Sequence, residues 1–314
     1  LASAQRDPTP EPARGSAEAA AAPRTAGEML VRARAWLARH APEEARLEAE
    51  LLVAHALGLK RLELFLALDR PLAAGELERA RELLQRRAQR EPVAYLTGTR
   101  EFYGRSFAVG PAVLIPRPET ELIVDLARAW WRGRGAPHAD SVGACAADFG
   151  TGSGCLAISL ALECPGLELV ASDVSAQALE CARANAQRLG ARVAFHQGEG
   201  VRLLEQVRPQ GYDLLVSNPP YVEPELAHEL APQVRLHEPA LALYAPPGAP
   251  DHWAEQLLCC AARSLRPGGL LLVELGLGQA QRLRACATRL GLTHEPRFER
   301  DAARIERVLV WQAR

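Results

Sequence analysis

The apolar positions of this chain change their period twice along its length. From Thr25 to about Arg90 they recur at helical spacing: Leu47, Leu51, Ala54 and His55 share a face before Gly58, and Leu77, Ala80, Leu84 and Ala88 share another before Pro92. Thr25 with Glu28 three residues on is the signature of a helix start. The polar side of the last helix carries Glu76, Glu78, Arg79, Glu82, Arg86 and Arg90, the pattern of a solvated face with i,i+4 pairs. Residues 27–92 therefore read as a small helical domain without chemistry of its own, suited to docking a partner. Residues 1–26, rich in Ala, Pro, Arg and Glu and lacking an apolar run, read as a disordered leader that is neither a secretory signal nor a transit peptide.

Over residues 93–118 β-branched and aromatic residues with glycine corners replace the helical period. Tyr95 to Gly98, Arg100-Glu101-Phe102-Tyr103-Gly104, Phe107 to Val109 and Val113 to Ile115 predict a β-hairpin linker between two domains. From residue 119 to 314 short aliphatic runs alternate with helical stretches. Strands are expected at Ala144 to Phe149, Leu167 to Ser172, Val193 to His196, Tyr212 to Val216, Leu270 to Glu274 and Arg307 to Trp311. Helices are expected after Glu121, from Cys155 to Ala161, Ala176 to Leu189, His252 to Leu265 and Gln279 to Leu290, with Arg235 to Leu243 in a proline-rich loop. That alternation predicts an α/β fold, a doubly wound Rossmann-like sheet whose ligands collect at the carboxyl ends of the strands.

Several of those strand ends carry chemistry. Asp148 and the loop Gly150-Thr151-Gly152-Ser153-Gly154 join the first strand to a helix. Glycines there let the backbone approach a ligand, and the helix start presents free N–H groups. Asp173 ends the next strand, where a carboxylate accepts both hydroxyls of a ribose. Glu199-Gly200 follows the third strand, with Glu199 placed to meet an adenine amino group, an exposed loop acid being the alternative. The Gly-x-Gly-x-Gly spacing differs from the G-x-G-x-x-G of dinucleotide enzymes. It suits a ligand without pyrophosphate such as S-adenosyl-L-methionine, with Asp148 towards the cationic end. The fourth strand ends in Ser217-Asn218-Pro219-Pro220-Tyr221. The prolines lack N–H groups, so this rigid turn offers acceptors and few donors. The Asn218 side-chain oxygen and the Pro219 carbonyl suit a planar NH2 group held by both hydrogens, with the Tyr221 ring on its face and Pro220 stiffening the turn. The alternative is a proline-terminated strand with an exposed Asn and Tyr.

These residues, with Leu114-Ile115-Pro116-Arg117-Pro118-Glu119-Thr120-Glu121, Glu238-Pro239-Ala240-Leu241 and Ile305-Glu306-Arg307-Val308, resemble the HemK-type (PrmC) methyltransferases from about residue 27 to the end. The Asn-Pro-Pro-Tyr motif is shared with DNA adenine and RNA guanine amino-methyltransferases; the Ile-Pro-Arg-Pro-Glu-Thr-Glu stretch is far more specific. The resemblance implies a class I S-adenosylmethionine-dependent fold with an N-terminal helical domain. It implies methyl transfer to the N5 amide of the glutamine in the Gly-Gly-Gln motif of class-1 peptide chain release factors. Carried over by position, Asp148, Gly150, Thr151, Gly152, Ser153, Gly154, Asp173, Glu199, Gly200 and Asn218 would hold or adjoin the cofactor. Asn218, Pro219, Pro220 and Tyr221 would hold the glutamine amide, with Asn218, Pro219 and Tyr221 catalytic and Phe102 helping to close the pocket. Where the family has an Asp and a bulky residue after the third strand, this chain has Glu199-Gly200.

Composition narrows the alternatives. Lys+Arg 37 against Asp+Glu 38 leaves a net charge of -1, so no basic surplus marks nucleic acid as the main target. An adenine-N6 or guanine-N2 methyltransferase is thereby the second choice, and no stable nucleic-acid binding is expected. A nicotinamide dehydrogenase has no use for Asn-Pro-Pro-Tyr, and a non-catalytic scaffold has no need of Asn218 or Asp173. The seven cysteines form no C-x-x-C pair and sit mostly in apolar segments, as core thiols of a reducing compartment do, and no metal is expected. No apolar run reaches the length of a membrane span. A monomer in a bacterial-type cytoplasm is the expectation, with an organellar address left open at the N-terminus.

Overall fold

Thr25 starts the first helix, α1 (Ala26–His40): its hydroxyl accepts from the Glu28 N–H at 3.2 Å. The computed structural model describes residues 22–134, 143–292 and 294–314, so residues 1–21 of the expected leader lie outside the described residues. Helices α2 (Ala45–Ala56), α3 (Arg61–Leu66) and α4 (Ala74–Ala88) follow, and the chain divides into two compact units inside α4, between Leu84 and Gln85. In the first unit Leu30, Leu37, Leu52 and Val53 are buried. The face expected from Leu47, Leu51, Ala54 and His55 is turned: Ala54 is buried, Leu51 half-buried, and Leu47 and His55 are exposed, because Leu52 and Val53 take the inner side of α2. Glu76, expected on a solvated face, is instead buried. It accepts from the Ala73 N–H at 3.0 Å and from Arg70 at 2.5 Å, and those two bonds hold its carboxyl below the usual range. A carboxylate is favoured there because the first turn of α4 has free N–H groups.

Glu50 of α2 is fully buried, with Arg34 and Arg61 each 2.6 Å from its carboxylate and Arg46 at 3.3 Å. Removing it leaves three cations without their shared carboxylate, although their partial exposure lets water replace part of the loss. Glu50→Ala is expected to lower the unfolding free energy by about 2 kcal/mol. A lower urea midpoint at unchanged m-value is the readout; an unchanged midpoint would remove Glu50 from the stabilising set.

The second unit opens with a departure from the sequence expectation. Val93–Thr97 is a helix, α5, because Pro92 leads a turn in which the Tyr95 and Leu96 N–H groups reach the Pro92 carbonyl at 3.0 and 3.1 Å. Gly98, at φ 73°, ends it. The hairpin is confined to β1 (Thr99–Phe102) and β2 (Arg105–Ala108), turned by Tyr103 and Gly104 at φ 49° and 68°. Val113 to Ile115 is not a strand; the Val113 carbonyl instead accepts from the buried Tyr95 hydroxyl at 2.7 Å. After α6 (Glu121–Gly133) come β3 (Cys145–Phe149), α7 (Cys155–Glu163), β4 (Glu168–Asp173), α8 (Ala176–Leu189), β5 (Ala194–Gln197), α9 (Arg202–Val207) and β6 (Tyr212–Ser217). The segment expected as a loop contains two short helices, α10 (Pro232–His237) and α11 (Ala240–Leu243), each entered through a proline. Then follow α12 (His252–Ser264), β7 (Leu265–Glu274), α13 (Gln279–Arg289), an unforeseen edge strand β8 (Arg297–Arg300) and β9 (Glu306–Gln312).

The seven strands lie in the order β5-β4-β3-β6-β7-β9-β8, parallel from β5 to β7, with β9 antiparallel to β7 and β8. Both sheet faces are covered. Ala147, Leu215, Leu271 and Val273 pack with Leu257, Leu258 and Leu283 of α12 and α13. Their neighbours Ala146, Leu214, Val216 and Leu272 pack with Ile123, Val124 and Ile158 of α6 and α7. This two-sided burial explains why β6 reads as an unbroken apolar run. The order reverses beside β3, where the chain leaves β4 on one side and β6 on the other, and a crevice opens at the carboxyl ends. Among the described residues no helix is long and apolar enough to cross a membrane.

Candidate functional site

The crevice is a cavity of about 450 Å³. Gly150, Thr151, Gly152 and Ser153 after β3, Asp173 at the end of β4, Glu199 and Gly200 after β5, and Asn218 and Pro220 after β6 all line it. Thus sheet topology brings most of the sequence candidates to one wall system. Gly150 and Gly152 stand at φ 71° and 55°, and a Cβ on either would meet no atom within 4 Å, so their open sides are free for a ligand. Gly154 serves packing instead: at φ 81°, its Cβ would lie 2.8 Å from Ile158 and 3.1 Å from Ala182.

Asp173 holds the loop in place. One carboxylate oxygen accepts from the Gly152 N–H at 2.9 Å and the other from the Ser175 N–H at 2.9 Å. Each oxygen keeps further acceptor capacity towards the cavity, which is the requirement for a vicinal diol. Asp148 is placed differently from its sequence expectation. It lies fully buried beneath the loop and does not line the cavity, accepting from the Thr151 hydroxyl at 2.7 Å and the Ala157 N–H at 3.2 Å. Burial pushes its carboxyl up to about 7, against those two bonds and with Asp173 nearby, and its second oxygen has no partner. Cys155 also lines the cavity, but burial pushes its thiol up to about 12, so it stays protonated and is no competitor for an electrophile.

Asn218 donates from Nδ2 to the Thr120 hydroxyl oxygen at 3.1 Å, and Thr120 donates to the Glu274 carboxylate at 2.5 Å. An ionised carboxylate only accepts, so Thr120 gives its proton to Glu274 and must accept from Asn218. While Glu274 is ionised this fixes the amide: Nδ2 faces Thr120, leaving Oδ1 as the group available to a ligand NH2. Glu274 ends β7 and is buried, as is Thr120; Tyr221 donates to its other oxygen at 3.4 Å. Tyr221 rests against Gly276, where a Cβ would come within 2.7 Å of the ring, and burial raises its hydroxyl's pKa with the Glu274 charge adding to it. Pro219 is buried, and neither it nor Tyr221 lines the cavity. The chain behind them is tied down by the Val222 N–H to the Leu243 carbonyl and the Ala245 N–H to the Val222 carbonyl, at 3.0 and 2.9 Å.

Phe102 does not close the cavity. It is buried edge-to-face on Phe107, ring centroids 6.0 Å apart, in the core with Ile123 and Val124. The Pro-Arg-Pro-Glu-Thr turn also lines the cavity, through Pro116, Arg117 and Thr120. Glu238 fastens that turn by accepting from the Ile115 N–H at 3.0 Å and Arg117 at 2.5 Å. Thr120 stands inside the Pro-Arg-Pro-Glu-Thr-Glu stretch without a role of its own there, and Glu274 is a site residue that the sequence alone did not single out. The signal for Glu274 is an acid closing an aliphatic strand, as Asp173 does. Room, acceptors at Asp173, open glycines and apolar walls at Phe149, Leu156, Val174 and Trp253 suit an adenosine-bearing ligand.

The chain matches the PrmC N-terminal domain family over residues 28–98 and the methyltransferase small domain family over residues 138–249. It is 43% identical over 258 residues to the release factor glutamine methyltransferase of Geobacter sulfurreducens, covering 82% of this chain and 86% of that one. The protein of that name from Chlorobaculum tepidum is 43% identical over 82% of this chain and 87% of its own length. The one from Bordetella pertussis is 41% identical over 84% and 93%. Among solved structures, the catalytic domain of hMettl16 in complex with MAT2A 3'UTR hairpin 6 is similar in fold, with a TM-score of 0.53 at 16% identity over 71% of this chain and 80% of that one.

Proposed function

Since the chain belongs to the release factor glutamine methyltransferase family, we propose that it methylates the side-chain amide nitrogen of the glutamine in the Gly-Gly-Gln motif of class-1 peptide chain release factors, using S-adenosyl-L-methionine. The observation that supports this chemistry most is the Asn218 amide, whose Nδ2 is held by Thr120 in the cavity that the glycine loop and Asp173 also line. The nucleic-acid alternative has no comparable support, because the hMettl16 likeness extends to the fold alone.

S-adenosyl-L-methionine supplies, when bound, a methyl group on a sulfonium that an amine-like nitrogen can displace. Asp173 would hold the ribose hydroxyls and the backbone of Gly150 to Ser153 the region beside them. Asn218 Oδ1 would accept one hydrogen of the glutamine NH2. Positive charge develops on that nitrogen as it loses its amide conjugation, so this bond strengthens towards the transition state. No strong general base is required, since the methylated nitrogen is acidic until it sheds a proton. The same reading places the protein where release factors work, in a bacterial-type cytoplasm.

The test incubates methyl-labelled S-adenosyl-L-methionine with a release factor and with its Gly-Gly-Gln Gln→Ala variant. Label on the first and none on the second is expected. Equal labelling of both refutes the glutamine as acceptor, and no labelling of either refutes the release factor as substrate.

A further inference from the structure

We propose that Glu274 is a positioning residue that, through the Thr120 hydroxyl, sets which end of the Asn218 amide faces the methyl acceptor. This rests on the methyl transfer proposed above and adds a group that never touches substrate. The relay is short and buried: Glu274 Oε2 to Thr120 Oγ1 is 2.5 Å, and Thr120 Oγ1 to Asn218 Nδ2 is 3.1 Å. Each link has one allowed direction while Glu274 is ionised. A protonated Glu274 can donate to Thr120, which frees the threonine proton for Asn218 Oδ1 and turns the amide round. The acceptor would then meet an NH2 group, and two donors facing each other cannot hold a glutamine NH2.

The groups facing Glu274 come from every side. Glu119 and Thr120 approach from the turn before α6, Tyr221 from the loop after β6, Arg307 from β9, and Cys155 from α7. Burial pushes the Glu274 carboxyl from an ordinary 4.5 up to about 7, while Thr120 and Arg307 pull it back and Glu119 adds to the rise. The relay is therefore reversed as pH falls through about 7, and turnover falls with it. Stability runs the other way. A carboxyl whose folded pKa is raised contributes most below its unfolded value and loses that contribution as pH rises through the folded value. At pH 8 the buried charge is a cost, so Glu274→Gln is expected to melt no lower than wild type while its turnover falls.

Glu274→Gln and Thr120→Val are expected to lower kcat roughly 10-fold or more, with S-adenosyl-L-methionine affinity within about 2-fold and the kcat rise between pH 6 and 8 flattened. Thr120→Ser keeps the hydroxyl and is expected to restore kcat. A second measurement needs no methyl acceptor: the Asn218 side-chain NH2 resonances of the 15N-labelled protein, assigned by their loss in Asn218→Ala. They are expected to titrate with a midpoint near 7 in wild type and to be flat in Glu274→Gln. Resonances flat in wild type, or titrating equally in Glu274→Gln, overturn the relay whatever the substrate proves to be. Wild-type turnover on release factor with an equally fast Thr120→Val overturns it too. Absence of wild-type turnover counts against the proposed substrate alone.

Discussion

Asn218→Ala is expected to lower kcat for release-factor methylation by about 10²–10³-fold while leaving cofactor affinity within about threefold. The size follows from what the side chain supplies. Its Oδ1 is the acceptor that the Nδ2 bond to Thr120 leaves for a ligand, and a bond to a nitrogen acquiring charge contributes about 1.5–3 kcal/mol. Orientation adds to this, because one face of the amide nitrogen must point at the methyl group. Alanine removes both effects without disturbing Asp173 or the glycine loop, which Gly150 and Thr151 N–H bonds to the Ser172 carbonyl hold independently at 2.9 and 3.0 Å. Methylation kinetics with calorimetry on S-adenosylhomocysteine separate the two terms. Unchanged kcat would remove Asn218 from the chemistry; a matching loss of affinity would make it a cofactor residue only.

Asp173→Ala is expected to show the reverse pattern, a cofactor dissociation constant raised roughly 100-fold. Two hydroxyl bonds to a charged acceptor at about 1.5 kcal/mol each give roughly 3 kcal/mol, or about two decades. The same substitution frees the Gly152 and Ser175 N–H groups, which adds loop disorder in the same direction. At saturating cofactor the remaining machinery, Asn218 included, is intact, so kcat recovers within about 10-fold. Calorimetry that finds the affinity within threefold of wild type would contradict the ribose role.

The parts of this site that lie along the chain were legible in the sequence. A strand, a glycine turn and a helix start at Asp148 to Cys155 announce themselves locally, as do an acid closing the strand at Asp173 and a proline stop at Asn218. Side chains that meet across the fold were not. Thr120 and Glu274 are separated by 154 residues and Asn218 and Thr120 by 98, distances over which periodicity carries no information. For the same reason Asp148, at a strand end, reads as a cavity residue, and Phe102 is placed at the pocket only by the family resemblance. Packing turns Asp148 under the loop and Phe102 into the core. The hairpin is shorter than its signal because Tyr95 and Thr97 have strand propensity that the Pro92 turn overrides. The edge strand Arg297–Arg300 lacks an aliphatic run to signal it.

Methyl transfer to one amide nitrogen is tested most directly by locating the methyl group in the product. Release factor treated with the protein and methyl-labelled S-adenosyl-L-methionine is digested, and the Gly-Gly-Gln peptide is sequenced by mass spectrometry and hydrolysed in acid. The expected result is one added methyl on that glutamine, released by hydrolysis as labelled methylamine. A methyl on any other residue, or label that stays with the amino acid after hydrolysis, would contradict transfer to the side-chain amide.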